Sequence, residues 1–441
     1  MAKIEIGTRI TGTIKPVNGV GQPPFIGMDF SYVKMLKDAG IPYSRLHDVG
    51  GAYGRNEFAD VPNLFRDFDA DPDVPENYDF ASTDILIKSL IDNDVEPFFR
   101  LGVTIENGVE SAEKGPQRIF APKDPHKWGV ICEHIVRHYN EGWANGFHYN
   151  IKYWEIWNEP ENAPNPNPRN PCWIGTDEQF FELYDAASKH LKKCFPDLKI
   201  GGYGSCGFYE ARRAAVGLPP KSAGQQNWVA FADKFLTFCK ENNCPLDFFS
   251  WHCYDDAYNF GYYPGYVREK LDSFGFTKTE QTCNEWNPGA AACSWRPDPA
   301  LKGTAKNAAD IAYALLAFQE SCLDSAMFYD ARIGRSFYGG LFHSETGAPL
   351  RAYRAFTYFN ELKKRQNEIE VKCDDDRLLA VAAEKDDKAV MIANPGDTDV
   401  EITISESVKG YRITCDEHID EYFDGAPTFI PKNGFVICFL K

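Results

Sequence analysis

The stretch Tyr153-Trp-Glu-Ile-Trp-Asn-Glu-Pro160 carries the strongest structural signal in the chain. Its aromatic and β-branched residues favour a β-strand, and Pro160, which has no N–H to give to a sheet, is predicted to end that strand. Glu159 then lies at the carboxyl end of the strand, directly after Asn158. In a β/α barrel, that end of the strands carries the catalytic groups. A glutamate at a strand end can also simply cap the next helix or face solvent.

A second stretch, Thr282-Cys-Asn-Glu-Trp-Asn-Pro288, repeats the pattern of strand, Asn-Glu, aromatic residue and proline. In a barrel, the two glutamates would converge over the mouth from opposite sides. Such a pair can cleave a glycosidic bond, because one carboxyl group protonates the leaving oxygen while the other attacks the anomeric carbon. These roles require a raised pKa for the acid and an ionised nucleophile. The pattern therefore predicts a catalytic pair at Glu159 and Glu285.

Strand and helix signals alternate along most of the chain, which is the pattern of a (β/α)8 barrel. The same alternation also allows an open doubly wound sheet. One helix signal is a capping box, Thr176 with Gln179, ahead of an apolar stripe. Strands are predicted at residues 3–14, 43–47, 96–102, 153–159, 198–203, 247–253, up to 285, and 325–330.

The pattern of apolar residues changes after residue 365. Short apolar runs separated by Asp-Asp, Pro-Gly, Lys-Gly and Asn-Gly turn signals predict an all-β, β-sandwich-like domain over residues 366–441. Because this domain is small, we expect it to take a strand from the N-terminus, at residues 3–9. The catalytic barrel would then occupy residues 1–365.

The composition narrows the classes of function. The hydrophobic fraction of 43% and aromatic fraction of 14% are those of a folded chain, not a disordered one. The net charge of −17 repels phosphate backbones and anionic membranes, so neither nucleic acid nor a membrane is an expected partner. No apolar run reaches the roughly 18 residues of a membrane helix. Homo-oligomerisation is compatible with the sequence, which does not decide it.

The cysteines and histidines point to no metal or cofactor. The 13 cysteines are odd in number and lack Cys-x-x-Cys spacing, which argues against a disulfide framework or a zinc site and favours reduced thiols in the cytoplasm. The 9 histidines are dispersed. Residues 202–207 fit Gly-x-Gly-x-x-Gly, but no clear helix signal follows directly, so we interpret them as the turn after a strand.

The first stretch, continued by Trp173-Ile-Gly-Thr-Asp-Glu-Gln-Phe-Phe-Glu-Leu-Tyr184, resembles glycoside hydrolase family 39, the family of β-xylosidases and α-L-iduronidase. The segment Gly340-Leu-Phe-His-Ser-Glu-Thr-Gly-Ala-Pro-Leu350, with Tyr353 and Phe356, is also similar to that family. The resemblance runs through most of residues 30–365 and continues into the β domain. It implies a (β/α)8 barrel with a small β-sandwich, and hydrolysis that retains the anomeric configuration.

The resemblance also implies roles for particular residues. Glu159 corresponds to the general acid/base and Glu285 to the nucleophile, and Asn158 to the group that binds the 2-hydroxyl of the sugar. His252 and Tyr254 correspond to residues that orient the two glutamates. As an alternative, His252 is a core histidine with satisfied hydrogen bonds.

Four further residues are candidates for the site by the same resemblance. Arg45 and His47 correspond to basic residues on the second strand that contact substrate or nucleophile, although Arg45 could equally be a buried partner of a barrel carboxylate. Trp286 and Trp173 are candidate sugar platforms, and packing explains either equally well.

The predicted function is that of a retaining exo-glycosidase on pentose-containing glycans, with β-D-xylosidase as the first choice. The partner is then an oligosaccharide or glycoside substrate, with no cofactor. One alternative is a glycosidase acting on arabinose- or uronate-containing glycans, for which Arg332 and Arg335 could supply cations. The other is a carbohydrate-binding barrel without activity, which would not need two opposed carboxylates.

Overall fold

Eight parallel strands close into a barrel in chain order. The computed structural model describes residues 1–47, 49, 59–102, 119–162, 172–289, 298–334 and 336–441. Strand β1 (Ala2–Thr13) lies outside the barrel, whose strands are β2 (Gly19–Gly21), β3 (Tyr43–Leu46), β4 (Glu96–Leu101), β5 (Tyr153–Ile156), β6 (Lys199–Ser205), β7 (Phe248–Cys253), β8 (Glu280–Trp286) and β9 (Ser325–Phe328). The predicted (β/α)8 barrel is confirmed, and the closed order excludes an open doubly wound sheet.

Helices follow the strands around the outside of the barrel. The predicted capping box is present at the start of α5: the backbone N–H of Gln179 donates to Thr176 Oγ1, and that of Thr176 donates to Gln179 Oε1. The α-helices of the described residues are α1 (Lys34–Asp38), α2 (Val61–Leu64), α3 (Ala81–Ile91), α4 (Pro125–Asn140), α5 (Asp177–Cys194), α6 (Tyr209–Ala215), α7 (Ala223–Asn242), α8 (Tyr263–Ser273), α9 (Ala305–Glu320) and α10 (Arg351–Arg365).

The first barrel strand differs from the prediction. Residues 3–14 were expected to begin the series of barrel strands, but β1 pairs instead with β10 (Asn367–Cys373) and β13 (Val400–Ile404). The barrel begins with β2, which is three residues long and contains two glycines, so it gives no strand signal. Glycine is required at Gly19, because a Cβ there would lie 2.8 Å from the carbonyl oxygen of Ala326.

The strand that leads to Glu159 also ends earlier than predicted. β5 stops at Ile156, because Trp157 has a φ of 71° and Glu159 a φ of 47°, left-handed conformations that cannot continue a pleated strand. Pro160 therefore follows a turn and does not itself end the strand. The turn is tied to the next strand, since the backbone N–H of Glu159 donates to the carbonyl oxygens of Tyr203 (3.2 Å) and Gly204 (3.0 Å).

The C-terminal strands and β1 form a nine-stranded sheet in the order β15-β14-β17-β12-β11-β10-β1-β13-β16. One face joins the apolar core around the barrel, where Tyr358 of α10 packs against Phe435 with ring centroids 5.3 Å apart. The opposite face has its own apolar cluster, which includes Ile4 of β1. The remaining strands are β11 (Leu379–Glu384), β12 (Lys388–Asn394), β14 (Val408–Thr414), β15 (Ile419–Asp424), β16 (Phe429–Ile430) and β17 (Gly434–Leu440).

The interior of the barrel changes from apolar to charged along its axis. Near the amino ends of the strands, Phe98, Phe248 and Met327 form a buried cluster with Tyr43 and Tyr153 packed against it. Side chains two positions later on a strand point to the same side. The next layer toward the carboxyl ends therefore contains Arg45 and Glu155 of β3 and β5, and the site is built on this charged layer.

Two further properties concern the described residues as a whole. No helix among them is both long and apolar enough to cross a membrane. Their cysteines are all free thiols, in agreement with the spacing in the sequence.

Candidate active site

A fully buried arginine is the centre of the site. Arg45 donates from Nε to Glu155 Oε2 (2.7 Å) and from Nη1 to Glu285 Oε1 (2.6 Å). Its Nη2 donates to Asn158 Oδ1 (2.7 Å). Burial alone would lower the pKa of Arg45, but the charges of Glu155 and Glu285 raise it above its usual value. Arg45 thus remains a fixed positive charge, and both roles considered for it from the sequence are present together.

Glu155 is the site residue that the sequence analysis did not identify. Its side chain is completely buried, and besides Arg45 it accepts hydrogen bonds from Ser250 Oγ and Asn284 Nδ2, both at 2.6 Å from Oε1. A buried charge is stable only when it is paired and hydrogen-bonded, and Glu155 has both kinds of partner. It lies two residues after Tyr153, and therefore on the same side of β5 as that residue.

Glu285 lies inside β8 and is held by donors on several strands. Besides Arg45, Tyr254 Oη donates to its Oε2 (2.6 Å), and His47 Nε2 lies 3.4 Å from its Oε1. Burial raises the pKa of Glu285, and the nearby charges of His252 and Arg45 partly offset that shift. Burial also lowers the pKa of His47 well below its usual value, with a further contribution from Arg45. His47 is therefore an uncharged neighbour of the carboxylate.

Glu159 has a less enclosed environment. Its Oε1 lies 2.7 Å from His252 Nδ1, and its Oε2 accepts from Asn162 Nδ2 at 3.4 Å. The thiol of Cys172 lies 3.9 Å from the same Oε2. The side chain of Glu159 is 14% exposed, compared with 6% for that of Glu285. Glu159 is thus the carboxyl group with better access to solvent.

His252 bridges the two glutamates. Its Nδ1 is 2.7 Å from Glu159 Oε1 and 3.5 Å from Glu285 Oε2. One ligating atom from each of these three side chains lies within 4.8 Å of the others. His252 Nδ1 and Glu159 Oε1 are at hydrogen-bonding distance, so a hydrogen-bonded network accounts for the three side chains without a metal ion.

A glycine allows the site residues to approach one another. A Cβ on Gly204 would lie 3.1 Å from both Arg45 Nη2 and Asn158 Oδ1. It would also lie 3.2 Å from His252 Nε2, and the φ of Gly204 is +66°. The closeness of Asn158 to Arg45 therefore depends on the absence of a side chain at this point of β6.

The structure brings together seven of the nine predicted site residues and places Trp173 and Trp286 elsewhere. Both indole rings are almost completely buried. Trp286 packs edge-on against Phe318 (5.3 Å between centroids), and Trp173 packs against Trp157 (5.1 Å). The packing role that the sequence analysis left open accounts for both tryptophans, and neither offers a ring face to a sugar.

A second group of metal-ligating side chains lies away from the barrel mouth, on α4 and α5. Glu133 Oε2 is 2.5 Å from His190 Nε2, and Cys194 Sγ is 3.9 Å from the same nitrogen. Arg137 donates to the other oxygen of Glu133 at 2.7 Å, which places a fixed positive charge beside these atoms. Such a cation disfavours a metal ion, and a network of hydrogen bonds accounts for the group.

Known proteins of similar sequence are glycosidases. The chain is 25% identical over 338 residues to a β-xylosidase of Geobacillus stearothermophilus, covering 70% of this chain and 61% of that enzyme. It is 23% identical over 382 residues to a β-xylosidase of Caldicellulosiruptor saccharolyticus, covering 78% and 71% of the two chains.

Solved structures with the same fold match nearly end to end. A glucosidase from Croceicoccus marinus superimposes with a TM-score of 0.76 at 21% identity, and a monomeric β-xylosidase from Caulobacter crescentus with a TM-score of 0.66 at 17% identity. Each match covers 100% of this chain and 99% of the other. At this level of identity the likeness establishes the fold alone.

The family follows from a match over most of the chain. The model of the glycosyl hydrolases of family 39 matches residues 58–409, which include both Asn-Glu strand ends, five of the nine strands of the C-terminal sheet in part or whole (β10 to β14), and every barrel strand from β4 onward. With the barrel and the paired carboxylates already in place, the conclusion is plain: the chain belongs to glycosyl hydrolase family 39.

Proposed function

We propose that the protein is a retaining exo-glycosidase that hydrolyses pentose-containing glycans, and that β-D-xylosides are its first substrates. Glu159 is the general acid/base and Glu285 the nucleophile. The β-xylosidase relatives support the choice of sugar. The alignment spans only 61% of the length of the first of them, so the substrate is our inference for this chain.

The observation that carries the proposal is the closeness of the two carboxyl groups. One oxygen of Glu159 and one of Glu285 lie within 4.8 Å of each other, with His252 between them. Retaining glycosidases separate their carboxyl groups by about 5–5.5 Å, and inverting ones by roughly 6.5–9.5 Å to admit a water molecule. The short separation supports direct attack by one carboxylate on the sugar.

The surroundings of the two glutamates support a particular division of roles. Glu285 is fixed by Arg45 and Tyr254, each at 2.6 Å, as a nucleophile that must keep one orientation requires. Glu159 is more exposed and pairs with His252, as suits a group that exchanges protons with a leaving group and with water. Although burial raises the pKa of Glu285, the positive charge of Arg45 favours its ionised form.

The reaction then runs in two displacements. A carboxylate oxygen of Glu285 attacks the anomeric carbon while Glu159 gives its proton to the departing oxygen, which leaves a covalent glycosyl-enzyme. In the second step Glu159 takes a proton from water, and the resulting hydroxide displaces Glu285 from the sugar. Asn158, oriented by Arg45 at 2.7 Å, binds the 2-hydroxyl, an interaction that strengthens in the transition state.

The described residues give less support to the alternatives. Recognition of a uronate calls for a cation, but Arg332 donates to the buried Asp330 at 3.1 Å, which balances its charge. Arg335 lies outside the described residues. A binding protein without activity has no need of a buried carboxylate such as Glu285 with its own arginine and tyrosine donors.

A panel of aryl glycosides tests the proposal. Nitrophenyl β-D-xyloside, α- and β-arabinosides, β-glucoside, β-galactoside and α-L-iduronide are incubated with the protein, and the first-formed anomer is followed by NMR. We expect the highest kcat/KM on the β-xyloside, with β-xylose as the first product. Release of α-xylose would contradict retention, and failure to cleave any member would contradict the proposed function.

A further inference from the structure

A fourth glutamate, two residues after the proposed acid/base Glu159, has no assigned role. Glu161 is almost completely buried, at 2% exposure. Its Oε1 accepts from Ser205 Oγ (2.9 Å) and from the backbone N–H of Cys206 (2.8 Å). Its Oε2 is buried and has no hydrogen-bond partner among the described residues. None of the ion pairs of the described residues includes it.

Among the described residues, the groups that influence the pKa of Glu161 are acidic or neutral. On its own turn the neighbour is Glu159, and on β6 and the residue after it the neighbours are Tyr203, Ser205 and Cys206. A charged carboxylate in this position would have one unsolvated oxygen and a second negative charge beside it, which is costly in a buried site.

The contacts of Glu161 hold the turn that carries Glu159. The backbone N–H of Glu159 is bonded to the carbonyl oxygens of Tyr203 and Gly204. Glu161 extends the same attachment to the next two residues of the chain, Ser205 and Cys206. Residues 203–206 therefore hold the turn of residues 159–161 through four hydrogen bonds, and Glu161 Oε1 accepts two of the four.

We propose that Glu161 is a positioning residue for Glu159, and that it works as an uncharged carboxylic acid that clamps the turn after β5 to the end of β6. Its effect on catalysis rests on the proposed function, whereas its uncharged state does not. Burial, with the charge of Glu159, raises the pKa of Glu161 to about 8, in agreement with this geometry.

The first test measures the uncharged state and needs no activity. Glutamine matches a neutral glutamic acid, because it keeps the acceptor oxygen and places an N–H group where the acid has O–H. An unfolded glutamate loses its proton near pH 4.3, so the native wild type binds an extra proton between that pH and about 8. The stability of the wild type falls over this range as pH rises.

Thermal unfolding of the wild type and Glu161→Gln is therefore compared at pH 5, 6.5 and 8. We expect the Tm of Glu161→Gln minus that of the wild type to increase steadily from pH 5 to pH 8. Glu417→Gln, which removes an exposed carboxyl group from the C-terminal sheet domain, is the control for loss of one carboxyl group. A difference that stays flat or decreases would show that Glu161 is charged in the folded protein, and would overturn the proposal.

The second test measures positioning through the leaving group. Glu161→Ala removes the clamp, so protonation of a poor leaving group by Glu159 should suffer: we expect kcat/KM for methyl β-xyloside to fall about 100-fold, the scale of general acid catalysis. For 2,4-dinitrophenyl β-xyloside, which needs little protonation, it should fall less than about threefold on the same reasoning. Glu161→Gln should restore most of the loss.

The two tests distinguish the uncharged state of Glu161 from its role toward Glu159. An equal loss for both substrates in Glu161→Ala would mean that Glu161 has only a structural role, and a Glu161→Gln variant as impaired as Glu161→Ala would refute the neutral clamp. If the wild type cleaves neither glycoside, the proposed function fails together with the role toward Glu159. The pH series of unfolding still decides whether Glu161 is uncharged.

Discussion

Two of the described barrel strands carry the dipeptide Asn-Glu in the strand or directly after it, and the dipeptide adopts a different structure at each. Asn284 and Glu285 lie within β8, where Asn284 supports the buried Glu155 and Glu285 faces the barrel mouth. Asn158 and Glu159 lie beyond the end of β5, on a turn with positive φ at Glu159. A strand holds one carboxyl group rigidly, and a turn presents the other toward solvent.

This difference gives one sequence pattern two environments, and these suit the two roles that we propose for Glu159 and Glu285. The side chain inside the strand is held by Arg45 of β3 and by Tyr254, the residue directly after β7. The side chain on the turn depends on His252 and on the attachment of the turn to β6. Variants that change the surroundings of only one of the two glutamates test this difference.

We expect the largest effect from replacing Arg45, the cation that Glu155 and Glu285 share. Arg45→Met keeps much of the side-chain volume but leaves Glu155 and Glu285 buried without their cation. We expect a loss of about 3–5 kcal/mol in the free energy of unfolding, measured by urea denaturation. The matched control is Arg66→Met, which breaks the exposed ion pair with Asp79 and should cost less than about 1 kcal/mol. Similar losses in both variants would contradict the central place of Arg45.

A smaller effect is expected where the two regions meet. Gly204→Ala places a methyl group 3.1 Å from Arg45 Nη2 and Asn158 Oδ1, at a φ of +66°. We expect a loss of stability of about 1–3 kcal/mol for the strained backbone, with a fall in kcat because Asn158 is displaced. Gly217→Ala has a φ of +71°, but no atom of the described residues lies within 4 Å of the added Cβ, so it carries the backbone strain without the crowding. Equal kcat values in the two variants would show that the close approach at Gly204 is unimportant.

The smallest effect is a shift in pH dependence. Tyr254 donates to the ionised form of Glu285 and so lowers its pKa, against the effect of burial, which raises it. In Tyr254→Phe the pKa of Glu285 rises further, so the acidic limb of kcat/KM should move to higher pH. Tyr184→Phe, which removes a buried hydroxyl bonded to the Pro245 carbonyl, should leave the limb in place. A shift to lower pH would contradict the contact.

Much of the site could be predicted because its residues lie at strand ends with distinctive neighbours. Both Asn-Glu pairs could be found in this way, and the resemblance to the family supplied His252 and Tyr254. Glu155 could not, because Tyr153 and Trp154 are both aromatic and the alternation in β5 therefore gives no indication of which side faces the interior. β2 was missed for another reason: three residues with two glycines carry no strand signal.

The tryptophans show a different limit of the sequence. An aromatic residue beside a catalytic motif is compatible with sugar binding and with packing, and only the phase of the strand decides between them. Trp286 directly follows Glu285 and so points to the opposite side of β8, where it meets Phe318 of α9. Glu285, which precedes Trp286 in the sequence, lies in the site, whereas the residues that pack against Trp286 lie in the core.

The most direct test of the account compares Glu159→Ala with Glu285→Ala on 2,4-dinitrophenyl β-xyloside. In Glu159→Ala the first step should remain comparatively fast and the second should stall, so intact-mass measurement should detect a pentosyl-enzyme, and azide should restore turnover by attacking it. In Glu285→Ala no covalent species should form, and the first step is lost for every leaving group. Azide rescue with an inverted product in Glu285→Ala, and none in Glu159→Ala, would show that the roles are reversed. A loss below about tenfold in both variants, about 1.4 kcal/mol of barrier, would place the catalytic carboxylates elsewhere.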